Sequence, residues 1–251
     1  MFDPNKKINP FEKLADHHSD ALRFINNQLS KIDKDKISIE QVISSISDYF
    51  IEITGEKSKA MDSIYYAALC EIQNKRDESI TEVLKKAEIS NKAIEYIESI
   101  RKLDSNDPNT LLSEIEKIEQ AVLNSNLGLR DARHILFYSA IAKGSVKYWS
   151  EEQKSKKSFW KRFFGSIKKL PWRADADEGL KEAAKTGIES LLLPVAPHIT
   201  IGVIMVKVIG GAVIGSISEY IHEAESNKQK NTAEEHRKNL KGPKPKFRDQ
   251  E

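Results

Sequence analysis

The chain has very little cysteine: Cys70 is the only one among 251 residues. A single cysteine cannot form an intramolecular disulfide, and this excludes the small secreted folds that depend on several of them. The first residues also lack the apolar run and the small-residue cleavage site of a secretory signal, so we expect none there. The sequence therefore predicts an amino-terminal region that faces the reducing environment of the cytoplasm.

Motifs for catalysis and for metal binding are also lacking. The chain contains no HExxH, GxSxG, GxGxxG or P-loop pattern, and its 6 histidines lack ligand spacing with carboxylates or cysteine. We therefore predict no enzymatic activity, no metal and no cofactor. His18 shares one side of a predicted helix with Leu14 and Leu22, which favours a hydrogen-bonded core histidine over a catalytic one. Cys70 is likewise interpreted as a small core residue.

Apolar residues in the first 150 positions recur every three or four residues and do not alternate as they would in strands. This spacing predicts six or seven amphipathic helices joined by short polar connections, which favours an antiparallel bundle. Gly55 is expected to end one helix, Ser79 and Glu82 to begin another as a capping box, and Pro108 to break a third. The predicted fold class is all-α: an N-terminal multi-helix bundle, then a basic amphipathic helix, then a hydrophobic transmembrane segment.

Charge is unevenly distributed, although the formal net charge of the chain is only +2. Residues 151–173 contain eight basic and two acidic residues, a density that attracts anionic lipid headgroups or nucleic-acid phosphates. On a helix, the aromatic rings of this segment share one face and its cations the other. Because rings and cations do not alternate, we expect anionic membrane lipids as the partner and do not expect a nucleic acid. Docking of the same face on the bundle is the alternative. The predicted membrane-surface residues are Phe159, Trp160, Lys161, Arg162, Phe163, Phe164, Ile167, Lys168 and Lys169.

One long apolar run, residues 199–217, contrasts with the polar remainder of the chain. A helix of this length would nearly cross a hydrocarbon core of about 30 Å, so we predict a transmembrane helix. Lys207 is the objection, because a cation at mid-helix costs about 3 kcal/mol on insertion scales. Gly211, Gly215 and Ser218 place small side chains on one face, which predicts helix association and a homo-oligomer. Two alternatives are a buried helix of a soluble domain and a β-hairpin that turns at the paired glycines.

Two short motifs resemble those of an uncharacterised bacterial family. Residues 139–149, SAIAKGSVKYW, contain an SVxYW-type helical element, and residues 172–179, WRADADEG, contain an ADAxG-type junction ahead of a glycine-zipper-like segment. The chain departs from the pattern in residues 181–189, where charged side chains replace an expected run of small ones. The resemblance implies membrane insertion or self-association and carries no catalytic residue. The matching residues are Ser145, Val146, Tyr148, Trp149, Ala174, Asp175, Ala176 and Gly179.

Composition divides the chain into four parts. The predicted parts are a helical bundle (1–150), a basic aromatic segment (151–173), a hydrophobic membrane-associating region (174–225) and a charged, disordered tail (226–251). The predicted function is that of a noncatalytic, membrane-associated protein that inserts through its C-terminal region and self-associates or forms a pore. The bundle would then regulate insertion or bind an unidentified protein partner. The alternative is a soluble helical interaction protein whose hydrophobic segment is buried in its core or by a partner.

Overall fold

The computed structural model describes residues 8–32, 39–55, 78–154, 171–186 and 206–214, together with positions 63, 66, 67, 70 and 188. All regular structure in these ranges is helical, which confirms the all-α class. Numbered in chain order, the helices are α1 (Glu12–Leu29), α2 (Ile39–Thr54), α3 (Ile80–Lys86), α4 (Asn91–Arg101), α5 (Pro108–Leu123), α6 (Leu129–Lys154), α7 (Trp172–Thr186) and α8 (206–214).

Local sequence signals set two helix ends where they are predicted. Gly55 follows α2 with φ +70°, a left-handed conformation that glycine adopts without steric cost, and its N–H donates to the Ile51 carbonyl at 3.0 Å. Before α3, the backbone N–H of Ser79 donates to the Glu82 carboxylate at 3.4 Å, which is the reciprocal half of a capping box. Both helix boundaries therefore follow from residues within one turn.

Two prolines lie at the amino-terminal ends of helices. Pro108 is the first residue of α5, because proline there lacks only an N–H that a helix start leaves unpaired anyway. The carboxylate of Asp107 caps that helix by accepting from the Thr110 N–H at 2.9 Å. The sequence predicts that Pro171 ends the basic amphipathic helix, and the structure places it immediately before α7, where its carbonyl accepts from the Asp175 N–H at 3.3 Å.

The central helix is α6, against which α1, α4, α5 and α7 all pack. From His134 to Trp149 every residue is buried except Lys147. A helix covered on all sides does not need a single apolar face, so its three- and four-residue pattern is weak. Gly144 allows α1 to approach closely, since a Cβ added there would lie 3.0 Å from both the Cβ and the carbonyl oxygen of Ala15.

Two clusters of buried apolar side chains form the core, and α8 contributes to both. The first cluster joins the start of α1 to α3, α4, α5, α6 and α7, and it includes Val208 and Ala212. The second joins the rest of α1, α2 and the end of α6, and it includes Ile209 and Val213. Each pair is spaced by four residues and so lies on one side of α8. This helix therefore lies between the two clusters.

Residues 206–214 of the apolar run therefore lie in the core of the bundle. Among the residues that the structure describes, no helix is long and apolar enough to cross a membrane, so the transmembrane helix over 199–217 is unsupported. The hairpin alternative is wrong for the described part of the run, because residues 206–214 are helical through Gly210 and Gly211. The buried-helix alternative agrees with α8, in which only Lys207 is partly exposed.

Several predictions concern positions outside the described residues. These include the basic amphipathic helix, with all of its predicted membrane-surface residues from Phe159 to Lys169, and the tail 226–251. Gly215 and Ser218 lie outside as well. Where the proposed division into parts can be compared, α6 continues to Lys154, beyond the boundary at 150, and α7 and α8 share the core of the amino-terminal helices.

Candidate functional site

A buried polar cluster lies where α1, α6 and α7 meet. The Asp175 carboxylate, in the first turn of α7, accepts three hydrogen bonds at its Oδ2 atom. The donors are Nε2 of His18 at 3.1 Å, the indole N–H of Trp149 at 3.1 Å and the hydroxyl of Ser145. These four residues, here called the Asp175 cluster, are each 0% exposed. One carboxylate oxygen therefore joins three helices.

Helix geometry brings these side chains together. Ser145 and Trp149 are four residues apart on α6, so both point from one face toward α7. Gly144 lets α1 come close enough for His18 to reach the same point, and the hydroxyl of Ser19 donates to the Gly144 carbonyl at 3.3 Å in the same crossing. The cluster thus depends on a close contact between α1 and α6 that only a small residue permits.

The arrangement differs from a nucleophilic relay. In a relay the serine hydroxyl bonds to the imidazole, whereas Ser145 donates to the Asp175 carboxylate. Complete burial also closes the cluster to a substrate from solvent. A buried carboxylate requires donors, and the cluster supplies three of them to one oxygen. The described residues contain no group of three or more His, Cys, Asp or Glu that could hold a metal ion. The geometry of the cluster therefore fits the attachment of α7 to α1 and α6 better than it fits catalysis.

A second polar cluster anchors the next residues of α7 to α4 and α6. Asp177 accepts from Nε of Arg101 at 3.0 Å and from the Tyr138 hydroxyl at 2.8 Å, and Arg101 also donates to Glu98 at 2.6 Å. Burial raises the pKa of Asp177 above its ordinary value, although Arg101 opposes that shift. Burial and then the Asp177 carboxylate raise the pKa of Tyr138 well above its ordinary value. The neutral phenol is thus held as a donor.

Arg173 attaches α7 to the carboxyl end of α4. Its Nε donates to the Arg101 carbonyl at 2.7 Å, and its terminal nitrogen donates to the Leu103 carbonyl. The last carbonyls of a helix have no partner within it, so an arginine from another helix satisfies them. The same guanidinium lies 5.0 Å from the ring centroid of Trp172. The WRADADEG sequence therefore supplies contacts to α1, α4 and α6.

A third polar cluster surrounds the ammonium group of Lys143 between α5 and α6. Glu119 and Lys143 are buried, and their charged atoms lie 3.0 Å apart. Glu119 also accepts from the Ser139 hydroxyl at 2.6 Å and from the Asn9 amide at 3.0 Å. The Lys143 ammonium makes a further contact with Glu12 at the start of α1. As in the other two clusters, the polar groups meet between helices.

Small residues bring α7 and α8 together. A Cβ added to Gly179 would lie 3.3 Å from the Cβ of Ala212, and one added to Gly211 would lie 3.1 Å from Cγ of Glu182. Gly211, predicted to support helix association, thus makes a close contact within the chain. Burial raises the pKa of Glu182, while Lys185 and, more weakly, Lys207 oppose the shift.

The structure gives a physical reason for the two resemblance motifs. Ser145 and Trp149 of the first motif both bind Asp175 of the second, and Gly179 makes the contact with α8. The sequence predicts His18 as a hydrogen-bonded core histidine, and its bond to Asp175 confirms this. Sequence reasoning missed that these motifs meet. The four-residue spacing of serine and tryptophan was the available signal, but it does not identify the acceptor.

Comparison of the chain with protein-family models, with curated proteins and with solved structures finds no match. The resemblance to an uncharacterised bacterial family therefore stays a prediction from its two motifs. Function is inferred from the contacts, burial and charge of this chain alone.

Proposed function

We propose that the chain is a noncatalytic helical interaction protein whose apolar segment is a buried part of its own core. The observation that carries this proposal is the burial of α8, in which Ile209 and Val213 are both 0% exposed. Both belong to one cluster with α1, α2 and the end of α6. Burying such a side chain is worth about 1.5–3 kcal/mol relative to leaving it in water. Any other location for α8 has to replace that free energy.

The charged groups inside the bundle support the noncatalytic part of the proposal. The carboxylates of Asp175, Asp177 and Glu119 all bind side chains of other helices. Groups committed in this way position helices and leave little freedom to bind a substrate. The function then depends on binding to an unidentified protein partner. We also propose a cytoplasmic location, because a single cysteine requires no oxidising compartment.

A second candidate function is attachment to an anionic membrane surface through residues 159–169. The observation that favours it is the sequence pattern, in which aromatic residues share one helical face and cations the other. Such a contact leaves α8 in the core. Insertion of the apolar run or pore formation would instead require α8 to leave both clusters that it joins.

Flotation of the full-length protein with vesicles of phosphatidylserine and phosphatidylcholine tests these candidates. The interaction protein is expected in the aqueous fraction at both low and high salt. Surface attachment predicts retention at low salt that high salt reverses, because exposed charges are screened. Retention that resists high salt would contradict both candidates and support insertion.

A matched pair of variants assigns any binding at low salt. Changing Lys161, Lys168 and Lys169 to glutamate reverses three charges in the basic segment and is expected to abolish surface attachment. The control changes three exposed lysines of the bundle to glutamate, with the same net charge, and is expected to keep it. Equal loss in both variants would show a nonspecific charge effect and remove the second candidate. The control lysines are Lys92, Lys102 and Lys117.

A further inference from the structure

We propose that the Asp175 cluster is a latch for α8: it holds one face of α7 against α1 and α6, and its release loosens α8 ahead of the rest of the bundle. The latch is a conformational device within the fold. It is independent of which partner the protein binds.

Asp175 lies on the face of α7 that also meets α8. Asp175 and Gly179 are four residues apart and therefore lie on one face of the helix, on successive turns. Gly179 is the residue against which Ala212 of α8 packs, and the Glu178 carbonyl lies 3.3 Å from a Cβ added to Gly211. A movement of the Asp175 turn away from α6 therefore also displaces the surface of α7 that α8 contacts.

One side chain belongs both to the Asp175 cluster and to the core around α8. The indole N–H of Trp149 donates to Asp175 at 3.1 Å, and the same residue belongs to the apolar cluster that includes Ile209 and Val213. The ring also meets that of Tyr148 edge-on, with centroids 5.1 Å apart. Trp149 therefore connects the polar cluster to the core around α8.

Helix α7 remains attached on its other side when the latch opens. Asp177 lies two residues beyond Asp175 and so points to a different side of the helix. Its bonds to Arg101 and Tyr138, together with the bonds of Arg173 to the end of α4, do not involve the Asp175 cluster. Loss of the latch therefore frees one face of α7 and leaves the other in place.

The closed cluster leaves two buried polar atoms unsatisfied. Within the described residues, Nδ1 of His18 and Oδ1 of Asp175 are buried without a hydrogen-bond partner. An unpaired buried polar atom costs free energy that water recovers on opening. Local opening is favoured where the closed state carries such a cost, because it competes with global unfolding. The two unpaired atoms therefore lower the free-energy cost of opening the cluster.

Hydrogen exchange of the full-length protein, read by mass spectrometry, tests the latch. Asp175→Asn keeps the shape of the side chain and removes the charge that three donors share. We expect exchange in residues 206–214 to accelerate at least about tenfold more than in α5, which reports global unfolding. Asp177→Asn is the matched control on the same helix and is expected to change both regions by the same factor.

The latch is overturned if Asp175→Asn accelerates 206–214 and α5 equally, or leaves 206–214 unchanged. Should Asp175→Asn fail to fold, Ser145→Ala provides the test, because it removes only the hydroxyl that donates to Asp175. Its control is Tyr148→Phe, which removes a bond of 3.2 Å to the Leu22 carbonyl and leaves the cluster intact. The proposal requires preferential exchange in 206–214 for Ser145→Ala alone, and equal effects of the two variants contradict it.

Discussion

Lys143 lies almost entirely inside the bundle, with 5% of its surface exposed, between the carboxylates of Glu119 and Glu12. Desolvating a cation is costly, and the two carboxylates offset that cost. Such a pair contributes less to the net free energy of folding than the loss of one partner takes away, because the remaining charge stays buried. The residue scale is therefore where single substitutions have their largest effect.

Replacing Lys143 by alanine is expected to lower the free energy of unfolding by about 3–5 kcal/mol, because Glu119 is left without its cation. Urea denaturation followed by circular dichroism measures the change. Lys117→Ala is the control: Lys117 pairs with Glu114 on the surface, where their side chains are 67% and 43% exposed, and its loss is expected to cost at most about 0.5 kcal/mol. Similar losses in the two variants would contradict the structural role of Lys143.

Because Tyr49 is buried, we expect the free energy of unfolding to depend on pH in the alkaline range. Burial, and more weakly Asp20 and Glu52, raise the pKa of Tyr49 to about 12. In an unfolded chain the value is about 10, so the folded state holds this proton more tightly. The stability that results is complete below about pH 10 and is lost as the pH rises toward 12.

Tyr49→Phe removes the titrating hydroxyl and is expected to reduce the alkaline loss of stability. The measurement is the free energy of unfolding by urea at a series of pH values from about 9 to 12. Part of the slope remains in the variant, because burial also raises the pKa of Tyr138. Near neutral pH the substitution costs only a hydrogen bond of 3.2 Å to the His17 carbonyl, about 1 kcal/mol. An identical alkaline slope in both proteins would show that Tyr49 does not contribute.

Single residues were predictable where the pattern around them was local. His18 follows from its place on an apolar helical stripe, and its bond to Asp175 confirms the prediction. Asp175 itself could not be predicted as an acceptor, because Ser145 and Trp149 are 30 and 26 residues away in sequence. Helical periodicity gives the face of a helix, but it does not say which other helix that face meets.

At the scale of helices, close approach depends on the positions of glycine, which has no side chain beyond its hydrogen. α1 crosses α6 at Gly144, and α7 meets α8 at Gly179 and Gly211. A methyl group at Gly144 would lie 3.0 Å from the carbonyl oxygen of Ala15, which belongs to the backbone and cannot rotate away. The two helices would have to separate to accommodate it. Such a separation would also lengthen the bond from His18 to Asp175.

Gly144→Ala is therefore expected to destabilise the protein by roughly 1–2 kcal/mol. Alanine gains about 1 kcal/mol over glycine in helix propensity, but overpacking of a core contact typically costs about 1–3 kcal/mol, and here the obstacle is backbone. Thermal unfolding measures the difference. Gly128→Ala is the control, because a Cβ there has no neighbour within 4 Å, and we expect a change within about 0.5 kcal/mol. Stabilisation by Gly144→Ala would contradict the close crossing.

Helix ends were more predictable than helix packing. Gly55 and the Ser79–Glu82 pair act through contacts within one turn, so the sequence contains all the information needed. Pro108 is only half predictable: it interrupts the preceding pattern, and it also begins α5. The buried faces of α6 are not predictable from periodicity, because a helix surrounded by others has no polar side to mark its orientation.

At the scale of the whole molecule, α8 connects two cores that the other helices build. Hydropathy describes only the composition of a segment, and the same apolar residues suit a bilayer or a protein interior. What distinguishes the two settings is a groove lined by α1, α2, α6 and α7, which forms from residues far away in sequence. For residues 206–214 the prediction of an apolar helix is therefore correct, whereas the predicted bilayer around it is unsupported.

The most direct test of α8 as a core helix is the free energy of unfolding of Ile209→Ala in detergent-free solution. Ile209 is 0% exposed, and removing a buried isoleucine side chain typically costs about 2–5 kcal/mol. Ile53→Ala is the control, since Ile53 is 42% exposed and its loss is expected to cost less than about 1 kcal/mol. We predict a loss of about 2–5 kcal/mol for Ile209→Ala. An unchanged free energy of unfolding would contradict the burial of α8 in the bundle.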